Sequence, residues 1–362
     1  MSEATFLHVG IPASLAPLST IISPANPFII LLALCIIYYL CLPKPIPGIP
    51  YNRMAALTPL GDIPSILRSL KHDGHDPFFH WFAKQHVKHN SPIVQVFVRL
   101  FKKPIVLVAD FREAEDILTR RADEFDRAQL IREMFTGTNP HSWFIMPTDG
   151  KFKAQQRLSL QVMSVAFLRD VAVPKLYESI LVLLDLWKLK ASLTDKPWEA
   201  EEDVHRAIFD GMWRSIYGTN AAIIETQLHA LKGMGCDLKP DTDSIMVADF
   251  SHTPVPRIYD ATIAIIDSVG DVINSPAPVI HYQLLKRFTK LKACFGDRDK
   301  VVDAIYDNRV TILAESPDHE PESALDCLVL RNLESERKRS PKYSDVAIKD
   351  DLFSLMAAVS QD

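Results

Sequence analysis

Hydrophobic and polar positions change period several times along the chain. From Phe28 to Leu42 the run FIILLALCIIYYLCL carries no charge. As a helix it would be roughly 22 Å long, short of the ~30 Å hydrocarbon core of a bilayer; starting at Ile21 lengthens it to roughly 33 Å. Pro24 and Pro27 then fall in the first turns, where a missing N–H costs least. The pattern predicts a transmembrane anchor over 21–42, with residues 1–20 as a short lumenal N-terminus. Lys44 and Arg53 are the first basic residues after it, which places the body on the cytosolic side. Prolines 43, 45, 47 and 50 predict a semi-rigid polyproline spacer over 43–50.

Beyond the spacer, IVQVFV (93–98) and PIVLVA (104–109) are β-branched runs that predict a hairpin. Asp110 then stands as an N-cap before FREAEDILTRR, whose acids come early and bases late, as the helix dipole favours. The later segments have helical period. Residues 173–190 are apolar nearly all round, the pattern of a core helix, and 203–218 puts Val204, Ile208, Met212 and Ile216 on one stripe before Gly218. Residues 234–256 read as a long connection, and 314–342 as a helix followed by a solvated loop. Near the end, Ile348, Leu352, Leu355, Met356 and Val359 fall at i, i+4, i+7, i+8 and i+11, one buried helical face with no Gly, Asn or Pro to close it. The predicted fold is mainly α with a small β-sheet in a body over 51–362, preceded by one transmembrane helix.

Composition narrows the function classes. The 362 residues are 48% hydrophobic, enough for a large core. Net charge is −5, and the densest basic block is ERKR, so a nucleic-acid footprint is excluded. The cysteines, Cys35, Cys41, Cys236, Cys294 and Cys327, form no CxxC pair, which predicts reduced thiols without a zinc ribbon. There is no GxSxG, P-loop or GxGxxG. Histidines gather in HDGHDPFFHWFAKQHVKH (72–89), where His72, His75, His86 and His89 could hold a metal ion; with no HExxH or cysteine pair, solvated or packed rings on a helix account for them better.

Two further stretches carry chemistry: EFDRA (124–128) and DGKFKAQQRLSLQVMS (149–164). With the apolar anchor, the KPIPGIP hinge and the small sheet before them, the chain resembles the N-terminal portion of a fungal microsomal cytochrome P450, a haem-thiolate monooxygenase. The resemblance implies that the segment after FDR, the loop 129–150, borders a substrate pocket, with Phe135, Trp143, Phe144 and Ile145 as lining candidates. It implies that a W-x-x-x-R pattern meets the haem propionates. Here Arg157 keeps the Arg, Lys153 takes the Trp place, and Phe152 is the nearest aromatic. It also implies that VSQD (359–362) begins the oxygen-activation motif of the central helix, with Asp362 as the acid and the chain ending one residue before the Thr.

The family's later motifs are missing from these residues. ESER (334–337) fits E-x-x-R by letter but precedes the central helix, and the Cys294-Phe-Gly sequence has Arg287 where the ligand loop needs Phe. An axial thiolate is what lets haem iron cleave the O–O bond. The expectation is therefore a truncated monooxygenase that binds no haem productively, with no metal-ligating residue of its own. The intact parent would oxidise or hydroxylate a lipophilic, secondary metabolite at the endoplasmic reticulum membrane, single-pass, with haem and NADPH-cytochrome P450 reductase. A non-catalytic, membrane-anchored binding protein is the alternative, and a histidine metalloprotein the lower one. The apolar face of the last helix is expected to be left uncovered, making the body poorly soluble.

Overall fold

The computed structural model describes residues 27–70, 77–99, 101–234, 247–250, 253–273, 275, 277–316, 319–337 and 343–357. The chain divides into two compact units, one up to Ala114 and one from Glu115 onward.

The first unit holds α1 (Pro27–Cys41), α2 (Arg53–Ala56), α3 (Ile63–Leu70), α4 (Pro77–His89), β1 (Ile93–Val96), β2 (Ile105–Val108) and α5 (Phe111–Glu115). Helix α1 is apolar on all sides and exposed. At 15 residues it is shorter than the expected anchor, and no described helix is long and apolar enough to cross a membrane. Residues 21–26 of that anchor lie outside the described residues.

The expected hairpin is present: β1 and β2 pair antiparallel, with Ile93 opposite Val108 and Val96 opposite Ile105. The Pro-rich segment 43–50 is anchored to this hairpin. Its backbone turns at Gly48, whose φ is +83°, and is held by buried Gln95 of β1. The Gln95 amide accepts from Ile46 N and donates to Ile46 O and Ile49 O, each at 2.8 Å. A buried side-chain amide needs such partners, and the loop's peptide groups supply them.

Ile66, Trp81, Val96 and Val98 form this unit's core. Gly61 has φ +57°, and a Cβ there would lie 2.3 Å from Phe97 O. Only glycine lets Asp62 come round to accept from Phe97 N at 2.9 Å. Asp110 caps α5 as the sequence predicts, its carboxylate accepting from Arg112 N at 2.9 Å; the chain then continues as a π-helical turn, Asp116–Arg120.

The second unit holds α6 (Gln129–Phe135), α7 (Gly150–Ser159), α8 (Val165–Phe167), α9 (Val173–Leu193), α10 (Glu201–Tyr217), α11 (Ile223–Met234), α12 (Arg257–Ile273), α13 (Pro278–Phe288), α14 (Leu291–Glu315), α15 (Ala324–Arg337) and α16 (Asp345–Ala357). The main core joins Phe209, Trp213 and Tyr217 of α10 to Leu325 and Leu328 of α15 and to Ile348, Leu352 and Met356 of α16. The predicted face of the last helix is thus buried, and the expectation that it lies uncovered is corrected: α10 and α15 cover its described part. Val359 lies outside the described residues.

Three other expectations change. Helix α9 buries Leu183 and Leu186 but exposes Tyr177, Ile180, Leu181 and Leu184, so it is one-sided. On α10 the predicted stripe is displaced: Ile208 is exposed, and the buried face carries Asp203, Arg206 and Asp210 among Ala207, Trp213 and Ile216. The predicted cap holds, with Gly218 at φ +71°. The start of α15, Ala324 to Val329, is core; the predicted solvated loop after it, 338–342, and most of 234–256 lie outside the described residues.

Candidate functional site

The segment 129–150 is partly helical where the sequence predicts a loop. It folds as α6, an irregular stretch and a 3-10 turn, Trp143–Ile145. Its peptide N–H groups at 141 and 143 need acceptors, because no helix or strand ladder takes them. Helix α16 provides them from one face. Asp350 accepts from His141 N at 2.8 Å, and Asp351 accepts from Trp143 N at 2.9 Å. One turn further on, Ser354 accepts from Asn139 Nδ2 at 2.7 Å and lies 3.0 Å from the Ser142 hydroxyl. Gln155 of α7 closes the set, its Nε2 donating to Asp351 at 2.9 Å and to His141 O at 3.0 Å. Asp350, Asp351, Gln155, Asn139 and Ser142 are all buried.

Burial pushes the Asp351 carboxyl up to about 6; its bonds from Gln155 and Trp143 oppose this without cancelling it. Asp350 is raised by burial as well. The sequence offers one signal for this pair, the doublet KDDLF inside an apolar helical stripe, and the expectations above do not include it.

Against this scaffold lies an apolar cavity of about 400 Å³. Phe135, Trp143 and Phe144 line it, facing Met163, Ile266, Val269 and the Phe353–Leu355 turn of α16. The Phe135 and Phe144 rings meet edge to face at 5.2 Å, a favourable quadrupole arrangement. Three of the four predicted lining residues thus come together. Ile145 does not line the cavity; it is buried in the 3-10 turn.

The FDR element is tied to the start of α7. Asp126 accepts from the Thr148 amide at 3.1 Å and from its hydroxyl at 2.8 Å, and these bonds hold its carboxyl below the usual range. Arg127 stacks 4.3 Å from the Phe152 ring and donates to Met146 O. Asp149 caps α7 by accepting from Phe152 N at 2.9 Å. Phe152 is buried against Trp143 at 5.8 Å, whereas Lys153 and Arg157 share an exposed face of α7 outside the cavity lining. Asp362 lies outside the described residues. So do His72 and His75. His86 Nδ1 is 3.0 Å from Ser91 O, and among the described residues no group of His, Cys, Asp or Glu could hold a metal ion.

A haem-thiolate centre needs cations for the propionates and a sulfur donor for iron. Lys153 and Arg157 fit the first need in charge and exposure. The described cysteines do not fit the second. Cys35 and Cys41 are on α1, and Cys294 packs with Phe295 in the α12–α14 cluster. Cys327 is core, its thiol pushed up to about 11 by burial. None of them lines the apolar cavity.

No protein-family model matches the chain. It is similar to curated fungal proteins over 91% of its length. One is the cytochrome P450 monooxygenase TRI13 of Fusarium sporotrichioides, 28% identical over 343 residues. Another is the cytochrome P450 monooxygenase GME11363 of Pestalotiopsis microspora, 30% identical over 338 residues. A third is the cytochrome P450 monooxygenase xilC of Penicillium crustosum, 24% identical over 337 residues. The chain spans 58%, 58% and 57% of the lengths of these relatives. The mostly helical fold with its two-stranded sheet is consistent with theirs, and these relatives support a fungal cytochrome P450 relationship for the chain.

Proposed function

We propose that this chain forms the substrate-cavity portion of a fungal haem-thiolate monooxygenase whose whole form hydroxylates a lipophilic secondary metabolite with electrons from NADPH-cytochrome P450 reductase. The observation that carries the reading is the apolar cavity walled by α6, the 143–145 turn, α12 and α16, in a chain whose similarity to such monooxygenases covers 91% of its length. In this reading Lys153 and Arg157 face the haem propionates, Asp362 serves oxygen activation, and the exposed apolar α1 sits at the endoplasmic reticulum membrane with the body in the cytosol. The 362 residues by themselves bind lipophilic ligand without turning it over, because their described thiols lie on α1 or in packed core. The placement of these described thiols away from the cavity favours a second reading, a non-catalytic binding protein, for the isolated chain.

The test combines two measurements on the 362-residue chain. Reduced under carbon monoxide with added haem, it is expected to give no thiolate-type band and, with reductase and NADPH, no oxidised product. An uncharged lipophilic probe is expected to bind at one site, and Phe144→Arg, which puts a charge into the cavity, to abolish that binding. A strong thiolate band overturns the assignment of the thiols. Probe binding indifferent to Phe144→Arg overturns the cavity reading.

A further inference from the structure

A second cavity, of about 490 Å³, shares Thr138 and Phe353 with the apolar one and differs from it in chemistry. Lys286 of α13, Lys292 and Arg298 of α14 and Lys349 of α16 line it, against Asp299, Asp303 and Asp350. Two of the carboxylates are already engaged: Arg298 Nε and Nη2 donate to Asp299 at 2.8 and 2.5 Å, and Lys349 donates to Asp303 at 2.6 Å. Asp350 accepts from the His141 peptide.

What remains is a set of unused donors. The Arg298 guanidinium is held 4.9 Å from the Phe295 ring and 4.7 Å from the Phe353 ring, and its Nη1 is buried without a hydrogen-bond partner. Tyr217 is 1% exposed, and its hydroxyl is also buried without a partner. Burial raises the Tyr217 phenol far above its ordinary value, so it stays neutral and able to donate. Lys286 spends one N–H on Gly137 O at 2.9 Å and has two left. Buried donors without acceptors are costly and rare in folded proteins. Water could meet their hydrogen bonds but not the excess of cations over carboxylates. A carboxylate meets both, since its two oxygens accept from several donors at once.

We infer that the ligand is a lipophilic carboxylic acid, its apolar body in the cavity lined by Phe135 and Phe144 and its carboxylate beyond Phe353 at Arg298 Nη1, Tyr217 Oη and Lys286. This rests on the apolar cavity being the substrate cavity, and the test separates the two claims. Calorimetric titration of the 362-residue chain compares decanoic acid with methyl decanoate. The acid is expected to bind about tenfold more tightly than the ester, the strength of a charge-assisted hydrogen bond set against a neutral one. Arg298→Gln removes that preference. Because it also removes the stacking on Phe295 and Phe353, Lys286→Gln is the second variant, expected to cut the preference to about threefold or less.

Equal affinity for acid and ester, both lost in Phe144→Arg, overturns the carboxylate inference and leaves the cavity reading standing. Ester binding untouched by Phe144→Arg overturns the cavity reading. Failure of both ligands to bind overturns both.

Discussion

Replacing Asp203 by Ala is expected to destabilise the second unit by about 3–5 kcal/mol, the cost of leaving one member of a buried ion pair alone. Asp203 of α10 accepts from Lys190 Nζ of α9 at 2.7 and 2.8 Å, from Trp187 Nε1 at 3.0 Å and from Gln227 Nε2 of α11 at 3.2 Å. The Lys190 and Asp203 side chains are 2% and 3% exposed. Burial lowers the lysine's pKa and the bond to Asp203 opposes this, so removing the carboxylate leaves a buried ammonium that has lost its ion-pair partner and keeps the Phe250 ring 4.7 Å away. The double variant Lys190→Met with Asp203→Leu is expected to recover most of the loss, because it removes the charge along with its partner. Urea unfolding measures both, read as a shift of midpoint at unchanged slope. A single-variant loss below about 1 kcal/mol contradicts the account. Probe affinity of the folded protein is expected to stay unchanged, since this network does not line the apolar cavity.

The second large effect belongs to Asp351. Asp351→Ala strips the acceptor from Trp143 N and from the Gln155 amide, both within a buried set. About 2–4 kcal/mol of stability is expected to go, together with about tenfold in lipophilic-probe affinity as Trp143 and Phe144 lose their anchor. A pH series isolates the carboxyl. Its ordinary value is 3.8 and its folded value about 6, so between these the folded state holds more protons than the unfolded one. This group's contribution to stability therefore falls as pH rises through that window and is flat above it. Asp351→Asn does not titrate, so the advantage of the native protein over this variant is expected to shrink from pH 4 to about pH 6 and then hold steady. The difference in urea-unfolding free energy between the two proteins measures it. A difference constant from pH 4 to pH 8 contradicts the assignment.

What could be read in the sequence was local. The hairpin follows from two β-branched runs, the cap at Asp110 from its place before helical period, and the buried face of α16 from its spacing. Phe135, Trp143 and Phe144 were named through the family resemblance, and the structure brings all three to one cavity. The rest depends on contacts between distant residues. His141 and Asp350 are 209 positions apart, and no local pattern marks their bond. Gln95 holds the proline segment from 49 positions away. On α10 the buried face was misread because Asp203, Arg206 and Asp210 look solvated by type; Asp203 is buried by virtue of Lys190, and Asp210 because it caps α11 through Ile223 N and Ile224 N, both at 2.9 Å. Ile145 was misplaced because a 3-10 turn directs neighbouring side chains differently from an extended loop.

The most direct test of the cavity is photolabelling with an uncharged aliphatic diazirine, mapped by peptide mass spectrometry with and without excess unlabelled competitor. The account predicts competitor-sensitive adducts within residues 135–144, at Met163, at 266–269 and at 351–357, all lost in Phe144→Arg. Adducts confined to exposed apolar residues such as those of α1, or adducts in those four segments that competitor does not reduce, would contradict it.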